Sequence, residues 1–155
     1  MSINTRKRIY LEFRWCLEFI TILALSPLIL AFVIISAILL MIDGKRNPFF
    51  IQKRIGKGGN RFTIFKLRTM DSNGKISKLS RFYRTHRIDE VPQFLNILLK
   101  NMSIIGPRPE PANLYEQTIT EFPEFAQRNH ILPGLTCLSQ ITLGHVNTWC
   151  VTPYC

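Results

Sequence analysis

Residues 19–42, FITILALSPLILAFVIISAILLMI, decide the fold because they contain no Asp, Glu, Lys, Arg or His. As a helix this stretch extends about 36 Å, which is enough to cross the hydrocarbon core of a bilayer. A cleavable signal peptide is a poor alternative, since its apolar region should span only about 7–15 residues and be followed by a small-x-small cleavage site, and neither condition is met here. The sequence therefore predicts membrane association.

A Ser26-Pro27 pair interrupts this apolar stretch. Pro27 lacks an amide donor and its ring clashes with the carbonyl of Leu23, so a straight helix is strained at this point. The hydroxyl of Ser26 is expected to bond back to the carbonyl of Ile22. The pair predicts a bend in the membrane helix.

Basic residues flank the apolar stretch on both sides. Positive charge favours the cytoplasmic face of a membrane. A re-entrant helix that enters, breaks at Pro27 and returns satisfies both flanks, whereas a straight span places one basic cluster outside. Charge and proline alone leave both topologies open. The flanking residues are Arg6, Lys7, Arg8 and Arg14 before the stretch, and Lys45, Arg46, Lys53, Arg54 and Lys57 after it.

Net charge is distributed unevenly along the 155 residues, a length that fits one domain. The whole chain carries +10. Residues 43–100 carry +10 and residues 101–155 carry −2, so anion binding is predicted for the first of these segments. Phospholipid head groups and nucleotide phosphates fit that charge. Nucleic acid is not predicted, because the chain lacks zinc-finger spacing and an RNP-type aromatic run.

A β-hairpin is predicted from residues 49–53 and 61–67, which are rich in Phe and Ile and flank a glycine-rich turn at 56–60. The turn is not a P-loop, since it lacks the Gly-Lys-Ser/Thr ending. After a polar loop, a basic helix is predicted at residues 80–87. Its spacing places three arginines on one face: Arg81, Arg84 and Arg87.

A second short helix is predicted to begin close to Asp89, with Pro92 in its first turn. Asp89 is a plausible N-cap, and the pair Asp89-Glu90 has two interpretations. The first is capping and dipole compensation. The second is a carboxylate kept ionised by basic neighbours, able to act as a nucleophile or metal ligand. The apolar stripe of this helix comprises Val91, Phe94, Leu95 and Leu98.

Arg108 lies between two prolines in Gly106-Pro107-Arg108-Pro109. Proline restricts the backbone before and after the arginine, so its guanidinium is presented from a stiff loop. Such a group suits bidentate phosphate contact, although an ordinary turn with a solvated arginine has the same sequence.

The order of these motifs resembles the bacterial sugar transferase family, the small monotopic phosphoglycosyl transferases that load undecaprenyl phosphate with a sugar phosphate. The resemblance runs from about residue 7 to residue 140. Its motifs are Lys7-Arg8, Ser26-Pro27, Gln52-Lys53-Arg54-Ile55-Gly56, Lys66-Leu67-Arg68-Thr69-Met70, Arg84, Asp89-Glu90-Val91-Pro92-Gln93, Asn96, Met102-Ser103, Gly106-Pro107-Arg108-Pro109, Pro133-Gly134-Leu135-Thr136 and Gln140.

The resemblance implies a single, mostly helical α+β domain over residues 1–155. Its parts are a re-entrant membrane helix (19–42) broken at Ser26-Pro27, a cytoplasmic catalytic part (43–140) that includes the hairpin, and an atypical tail (141–155). The location implied is the cytoplasmic face of the bacterial inner membrane, among phospholipids. The resemblance leaves open whether the protein forms a homo-oligomer.

The implied reaction moves a sugar 1-phosphate from a UDP-sugar to polyprenyl phosphate, releases UMP, and begins exopolysaccharide or glycoconjugate synthesis. By motif position, Asp89 is the nucleophile that forms a phosphosugar-enzyme intermediate, and Asp89 and Glu90 hold Mg²⁺. The remaining site residues bind or orient phosphates: Lys66, Arg68, Arg84 and Arg108.

Some positions depart from the family pattern. Lys100-Asn101 replaces a Gly-Asp, Cys137-Leu138-Ser139 replaces a Gly-Trp-Ala, and residues 143–155 do not resemble the family. The alternative hypothesis is therefore a truncated, inactive membrane protein that binds lipid or a partner. A zinc site is not expected, given the irregular spacing of Cys137, His145, Cys150 and Cys155.

Overall fold

The computed structural model describes residues 5–44 and 47–137, which form an α+β fold. Four α-helices are joined by a two-stranded antiparallel sheet, a two-stranded parallel sheet and short 3₁₀ segments. The elements are α1 (Thr5–Ile42), β1 (Phe49–Ile55), β2 (Arg61–Leu67), α2 (Lys78–Thr85), a 3₁₀ segment (Ile88–Gln93), α3 (Phe94–Leu98), β3 (Ser103–Ile105), α4 (Ala112–Glu121), a 3₁₀ segment (Pro123–His130) and β4 (Gly134–Thr136).

Helix α1 begins well before residue 19 and continues through Pro27. Pro27 cannot donate to the carbonyl of Leu23, and the hydroxyl of Ser26 donates to that carbonyl at 2.7 Å. The predicted bond from Ser26 to Ile22 is therefore wrong, because proline leaves the Leu23 carbonyl as the acceptor in need of a donor. The helix is long and apolar enough to cross a membrane, and only 22% of its most apolar window is buried.

Helix α1 packs against the rest of the domain along one edge, from Arg14 to Leu40. In its C-terminal half, Val33, Ala37 and Leu40 are buried in a cluster with side chains from β2, α2 and α3. In its N-terminal half, the indole of Trp15 donates to the carbonyl of Ile97 at 3.3 Å. One edge of α1 is thus covered by protein, while most of its other side chains are exposed.

The predicted hairpin is confirmed. Strands β1 and β2 pair antiparallel, from Phe49 opposite Leu67 to Ile55 opposite Arg61. Gly58 (φ +69°) and Gly59 (φ +79°) adopt left-handed conformations in the turn, which glycine tolerates without steric cost. The hairpin packs against the 3₁₀ segment Ile88–Gln93, so it supports the residues that follow α2.

The helix predicted to begin near Asp89 is instead a 3₁₀ segment followed by the short helix α3. The residue before the segment is Arg87, whose φ is +56°, so the predicted N-cap at Asp89 is wrong. Leu95, which belongs to the predicted apolar stripe, is 41% exposed. A 3₁₀ segment has three residues per turn, which shifts the stripe calculated for 3.6 residues.

Helix α2 begins two residues earlier than predicted and ends at Thr85. The hydroxyl of Ser77 caps it by accepting from the amide of Ser80 at 3.0 Å. Arg81 and Arg84 lie on the helix, but Arg87 lies in the left-handed turn beyond it. The predicted face of three arginines is therefore wrong, since the helix ends before the third arginine.

Strands β3 and β4 form a parallel pair that sequence patterns did not indicate. Their two glycines meet closely: a Cβ at Gly134 would lie 2.1 Å from the amide nitrogen of Gly106. A Cβ at Gly106 would lie 2.4 Å from the carbonyl oxygen of Leu132. Only glycine fits at either position, and the loop that carries Arg108 leaves β3 from this contact.

Replacing Gly134 by alanine is expected to lower the free energy of unfolding by about 3 kcal/mol or more, at the upper end for overpacked sites, because the clash is with backbone. Gly59→Ala is the matched control. Within the described part of the chain, no heavy atom outside Gly59 and its two chain neighbours lies within 4 Å of the position that its Cβ would take, and only the φ of +79° opposes it, at about 1–2 kcal/mol. Denaturant unfolding in detergent, followed by tryptophan fluorescence, measures both. Equal losses in the two variants would contradict the packing explanation.

Candidate active site

The adjacent carboxylates Asp89 and Glu90 lie in the first turn of the 3₁₀ segment. Glu90 is buried and faces a group of cations. Its Oε1 lies 2.8 Å from Lys66 Nζ and 3.3 Å from Arg108 Nη2. Its Oε2 lies 3.9 Å from Arg87 Nη1. The site therefore joins β2, the turn after α2 and the loop after β3.

The loop of Arg108 is held in place by hydrogen bonds that distant residues donate to its backbone carbonyls. Arg128 Nη2 donates to the Arg108 carbonyl at 2.6 Å, and Arg54 Nη1 donates to the Pro109 carbonyl at 2.9 Å. The amide of Gly134 donates to the Pro107 carbonyl at 2.9 Å. The stiff presentation predicted for Arg108 is thus reinforced by two further arginines.

The two carboxylates have different electrostatic environments. Burial alone would raise the pKa of Glu90, but the charges of Lys66 and Arg108 outweigh it and leave that pKa below its ordinary value. The pKa of Asp89 is raised by burial and by the negative charge of Glu90, against the opposing charges of Lys66 and Arg84. Glu90 is therefore a fixed anion, and Asp89 is the more basic carboxylate.

Asp89 is half-buried, and no Lys, Arg or His nitrogen in residues 9–44 and 47–137 lies within 4.0 Å of its carboxylate. Its neighbour Glu90 satisfies the nearby cations instead. A carboxylate that is not engaged in an ion pair keeps its lone pairs available for a metal or for attack on phosphorus.

The other predicted phosphate-binding residues are placed differently. Arg84 is exposed on α2, close enough for its charge to affect the pKa of Asp89. Arg68 lies at the end of the hairpin, where Nη2 donates to the Phe49 carbonyl at 3.2 Å and the guanidinium lies 5.6 Å from the ring centroid of Phe50. Lys66, Arg84 and Arg108 therefore surround the carboxylates, whereas Arg68 is engaged elsewhere.

Sequence patterns missed part of this site. Arg87 was assigned to a helix face, but its left-handed backbone turns it towards Glu90. Gln93 is 2% exposed, and its Nε2 has no hydrogen-bond partner among the residues the structure describes. Arg54 belonged to a recognised motif without a role. Only tertiary contact reveals what these three residues face.

The side chains available to hold Mg²⁺ are the carboxylates of Asp89 and Glu90. Within the described ranges, no group of three or more His, Cys, Asp or Glu side chains could enclose a metal ion. Mg²⁺ is commonly held by one or two carboxylates, with substrate phosphates and water completing its shell. Asp89 and Glu90 fit that mode, and they do not fit an all-protein cage. Of the four zinc-site candidates, only Cys137, a buried thiol, lies inside the described residues.

The chain matches the model of a known protein family. The model of the bacterial sugar transferase family matches residues 9–151, so the match continues beyond Gln140 into the segment predicted to be atypical. That segment lies outside the described residues.

Three curated relatives illustrate the similarity. A UDP-N-acetylgalactosamine-undecaprenyl-phosphate N-acetylgalactosaminephosphotransferase of Aeromonas hydrophila is 34% identical over 133 residues, covering 77% of this chain and 30% of the relative. A UDP-glucose:undecaprenyl-phosphate glucose-1-phosphate transferase of Caulobacter vibrioides is 30% identical over 154 residues, covering 91% and 55%. An exopolysaccharide production protein of Rhizobium leguminosarum is 31% identical over 140 residues, covering 77% and 66%. The chain thus spans between about a third and two thirds of these relatives.

Proposed function

Because this chain belongs to the bacterial sugar transferase family, we propose that it transfers a sugar 1-phosphate from a UDP-sugar to undecaprenyl phosphate and releases UMP. The observation that carries the proposal is the carboxylate pair, in which Glu90 engages the described cations and Asp89 does not. The relatives' names support the substrate class, and one of them links the family to exopolysaccharide production. This reaction would begin such a pathway.

In the proposed chemistry, an oxygen of ionised Asp89 attacks the β-phosphorus of the UDP-sugar. The bond from that phosphorus to the bridging oxygen breaks, and UMP leaves with the electron pair. The sugar phosphate is then bound covalently to Asp89 as an acyl phosphate, a mixed carboxylic-phosphoric anhydride. A phosphate oxygen of undecaprenyl phosphate attacks the same phosphorus, which forms the lipid-linked diphosphate and returns the carboxylate of Asp89. Splitting the transfer in this way is characteristic of covalent catalysis.

The surrounding cations address the charge repulsion in this step, since an anionic carboxylate approaches an anionic diphosphate. Arg108 has a side chain that is 37% exposed, so it keeps N–H donors for phosphate besides its contact with Glu90. Arg84 is exposed beside Asp89. Lys66 is largely buried against Glu90 and holds that carboxylate in position. A phosphate-binding role for Arg68 receives the least support, because its guanidinium contacts the hairpin.

Mg²⁺, held by Asp89 and Glu90 together with the substrate phosphates, would neutralise charge that develops on the diphosphate oxygens. The chain's own contribution is to fix the two carboxylates next to each other at the start of the 3₁₀ segment.

At acid pH, kcat/KM should fall because Asp89 becomes protonated. Its folded pKa lies above the ordinary 3.8, and only the ionised form attacks phosphorus. We expect kcat/KM to fall about tenfold per pH unit below that raised pKa. UMP release measured from pH 4 to 8, with circular dichroism to confirm folding, tests this. Values of kcat/KM that stay constant down to pH 4 would contradict it.

The packing of α1 supports a re-entrant topology, and the basic residues on both flanks of the apolar stretch favour the cytoplasmic face. Glu18 and Leu40 both contact the same small domain, yet a straight helix would separate them by about 33 Å, close to the thickness of the hydrocarbon core. If the helix spanned the bilayer, the domain would have to contact it on both sides of the membrane. Both ends of α1 are therefore assigned to one side.

Cysteine labelling in spheroplasts tests this topology. Ser2→Cys and Ser72→Cys, each in a background whose four native cysteines are serine, place one thiol before α1 and one in the exposed loop before α2. A membrane-impermeant maleimide should label neither until the membrane is permeabilised, and then both. Labelling of Ser2→Cys alone in intact spheroplasts would indicate a straight span.

UMP release in detergent, with Mg²⁺ and undecaprenyl phosphate, tests the proposed function. UDP-glucose and UDP-N-acetylgalactosamine are the first donors to try, because relatives are named for them. Release that depends on the protein is the expected result. No release from folded protein across a wider UDP-sugar panel would favour the alternative of an inactive, lipid-binding protein.

A further inference from the structure

A charged pair from the N-terminal half of α1, Arg14 and Glu18, contacts strand β3, and its carboxylate is buried. Glu18 is 8% exposed, although most side chains of this helix point outward. Its Oε2 accepts hydrogen bonds from Ser103 Oγ at 2.7 Å and from the Ile104 amide at 2.9 Å. Its Oε1 lies 3.4 Å from Arg14 Nε. Burying a carboxylate is costly unless it is paired and hydrogen-bonded, and Glu18 meets both conditions.

Arg14 extends the same contact along the strand. Its Nη2 donates to Ser103 Oγ at 2.9 Å and to the Ile105 carbonyl at 3.0 Å. The pair from α1 therefore holds all three residues of β3, two of them through backbone atoms. Backbone contacts fix the position of a strand more directly than side-chain packing does.

Strand β3 leads directly into the loop of Arg108. The amide of Gly106 donates to the Thr136 carbonyl at 3.1 Å. Pro107 and Pro109 limit rotation on either side of the arginine. Only two residues separate Ile105 from Arg108, so a displacement of the strand is passed on to the guanidinium that lies 3.3 Å from Glu90.

We infer that Arg14 and Glu18 are positioning residues, an assignment that rests on the proposed function. They lock β3 against the membrane helix and thereby aim Arg108 at Glu90 and at the substrate diphosphate. The membrane helix is thus linked to the cation that the proposed reaction assigns to the nucleotide-sugar.

A double-mutant cycle on kcat/KM for the UDP-sugar tests the link. Glu18→Ala should lower kcat/KM about tenfold in the wild-type background and less than about twofold in the Arg108→Ala background, because coupled residues are not additive. Glu18→Gln keeps an oxygen acceptor for Ser103 Oγ and the Ile104 amide, and should lose no more than about threefold. A tenfold loss in both backgrounds would overturn the inference, since it would indicate a general packing defect.

Glu12→Ala is the matched control on the same helix. Glu12 Oε2 lies 2.6 Å from Lys100 Nζ, and both side chains are about half exposed, so this ion pair contributes little. Its loss should change kcat/KM by less than about twofold. A loss equal to that of Glu18→Ala would show that any change in α1 lowers activity, and would overturn the special role of Glu18.

Hydrogen exchange separates this inference from the proposed function. Glu18→Ala should speed exchange of the amides of residues 104–106 and of Arg108 at least about tenfold and leave those of the hairpin strands unchanged. Ser103→Ala, a milder change, should shift the same amides in the same direction. If the wild-type protein releases no UMP but exchange responds in this way, the proposed function fails and the structural link stands. Unchanged exchange of the amides of residues 104–106 and of Arg108 would overturn the link even in an active enzyme.

Discussion

Asp89→Asn is expected to abolish sugar-phosphate transfer, with kcat falling roughly 10³-fold or more, as for the loss of other covalent nucleophiles. The amide has nearly the same shape as the carboxylate but cannot attack phosphorus. Because Asp89 forms no ion pair within the described part of the chain, its replacement should leave folding almost unchanged. UMP release and denaturant unfolding measure the two effects separately.

Asp71→Asn controls for the general loss of an acidic side chain. Asp71 lies in the loop before α2, where Oδ1 accepts from the amides of Asn73 and Lys75. That variant should keep kcat within about twofold of wild type. Asp89→Ala guards against activity regained by deamidation of the asparagine. More than about a tenth of wild-type activity in Asp89→Ala would exclude Asp89 as the nucleophile.

Glu90→Gln is expected to impair both stability and activity. Glu90 and Lys66 have side chains that are only 10% and 14% exposed, and Arg108 also lies next to the same oxygen. Removing one partner of a buried pair leaves an uncompensated charge and costs about 3–5 kcal/mol of unfolding free energy when burial is complete. We expect about 3 kcal/mol here, since Arg108 is partly exposed, and a kcat lower by roughly 10² as the cations lose their alignment.

The double variant Glu90→Gln, Lys66→Met distinguishes the two roles. Removing the unpaired ammonium group should restore much of the lost stability without restoring activity. Because the folded pKa of Glu90 lies below its unfolded value, its stabilising effect is present at neutral pH and disappears as pH falls through the folded pKa. The difference in unfolding free energy between wild type and Glu90→Gln should therefore become smaller as the pH falls. A double variant no more stable than the single one would contradict this account of the pair.

Strong local patterns were sufficient for much of the fold. The membrane helix follows from an uncharged stretch, and the hairpin follows from two stretches rich in Phe and Ile around a glycine-rich turn. The parallel pair of β3 and β4 could not be predicted, because each strand has three residues and its partner lies about thirty residues away. The 3₁₀ segment was not predicted, because the search used the period of an α-helix, which does not apply to a 3₁₀ helix.

The candidate site also contains residues that sequence motifs identify and residues that only tertiary contacts reveal. The residues Asp89, Glu90, Lys66 and Arg108 could be named from their motifs, although neither burial nor distance was available from the sequence. Charge counting assigned anion binding to residues 43–100, yet Arg108 lies beyond them in a segment of net negative charge. Arg87 and Glu18 depend on a left-handed turn and on packing between distant elements, which leave no local pattern.

Trapping the intermediate tests the central claim most directly. The wild-type protein would be incubated with a UDP-sugar and Mg²⁺ without undecaprenyl phosphate, then digested and mapped by mass spectrometry. The account predicts UMP release of up to one equivalent and a sugar-phosphate adduct on the peptide that contains Asp89, lost in Asp89→Asn and discharged when undecaprenyl phosphate is added. UMP release that requires undecaprenyl phosphate and leaves no adduct, or an adduct on another residue, would contradict it.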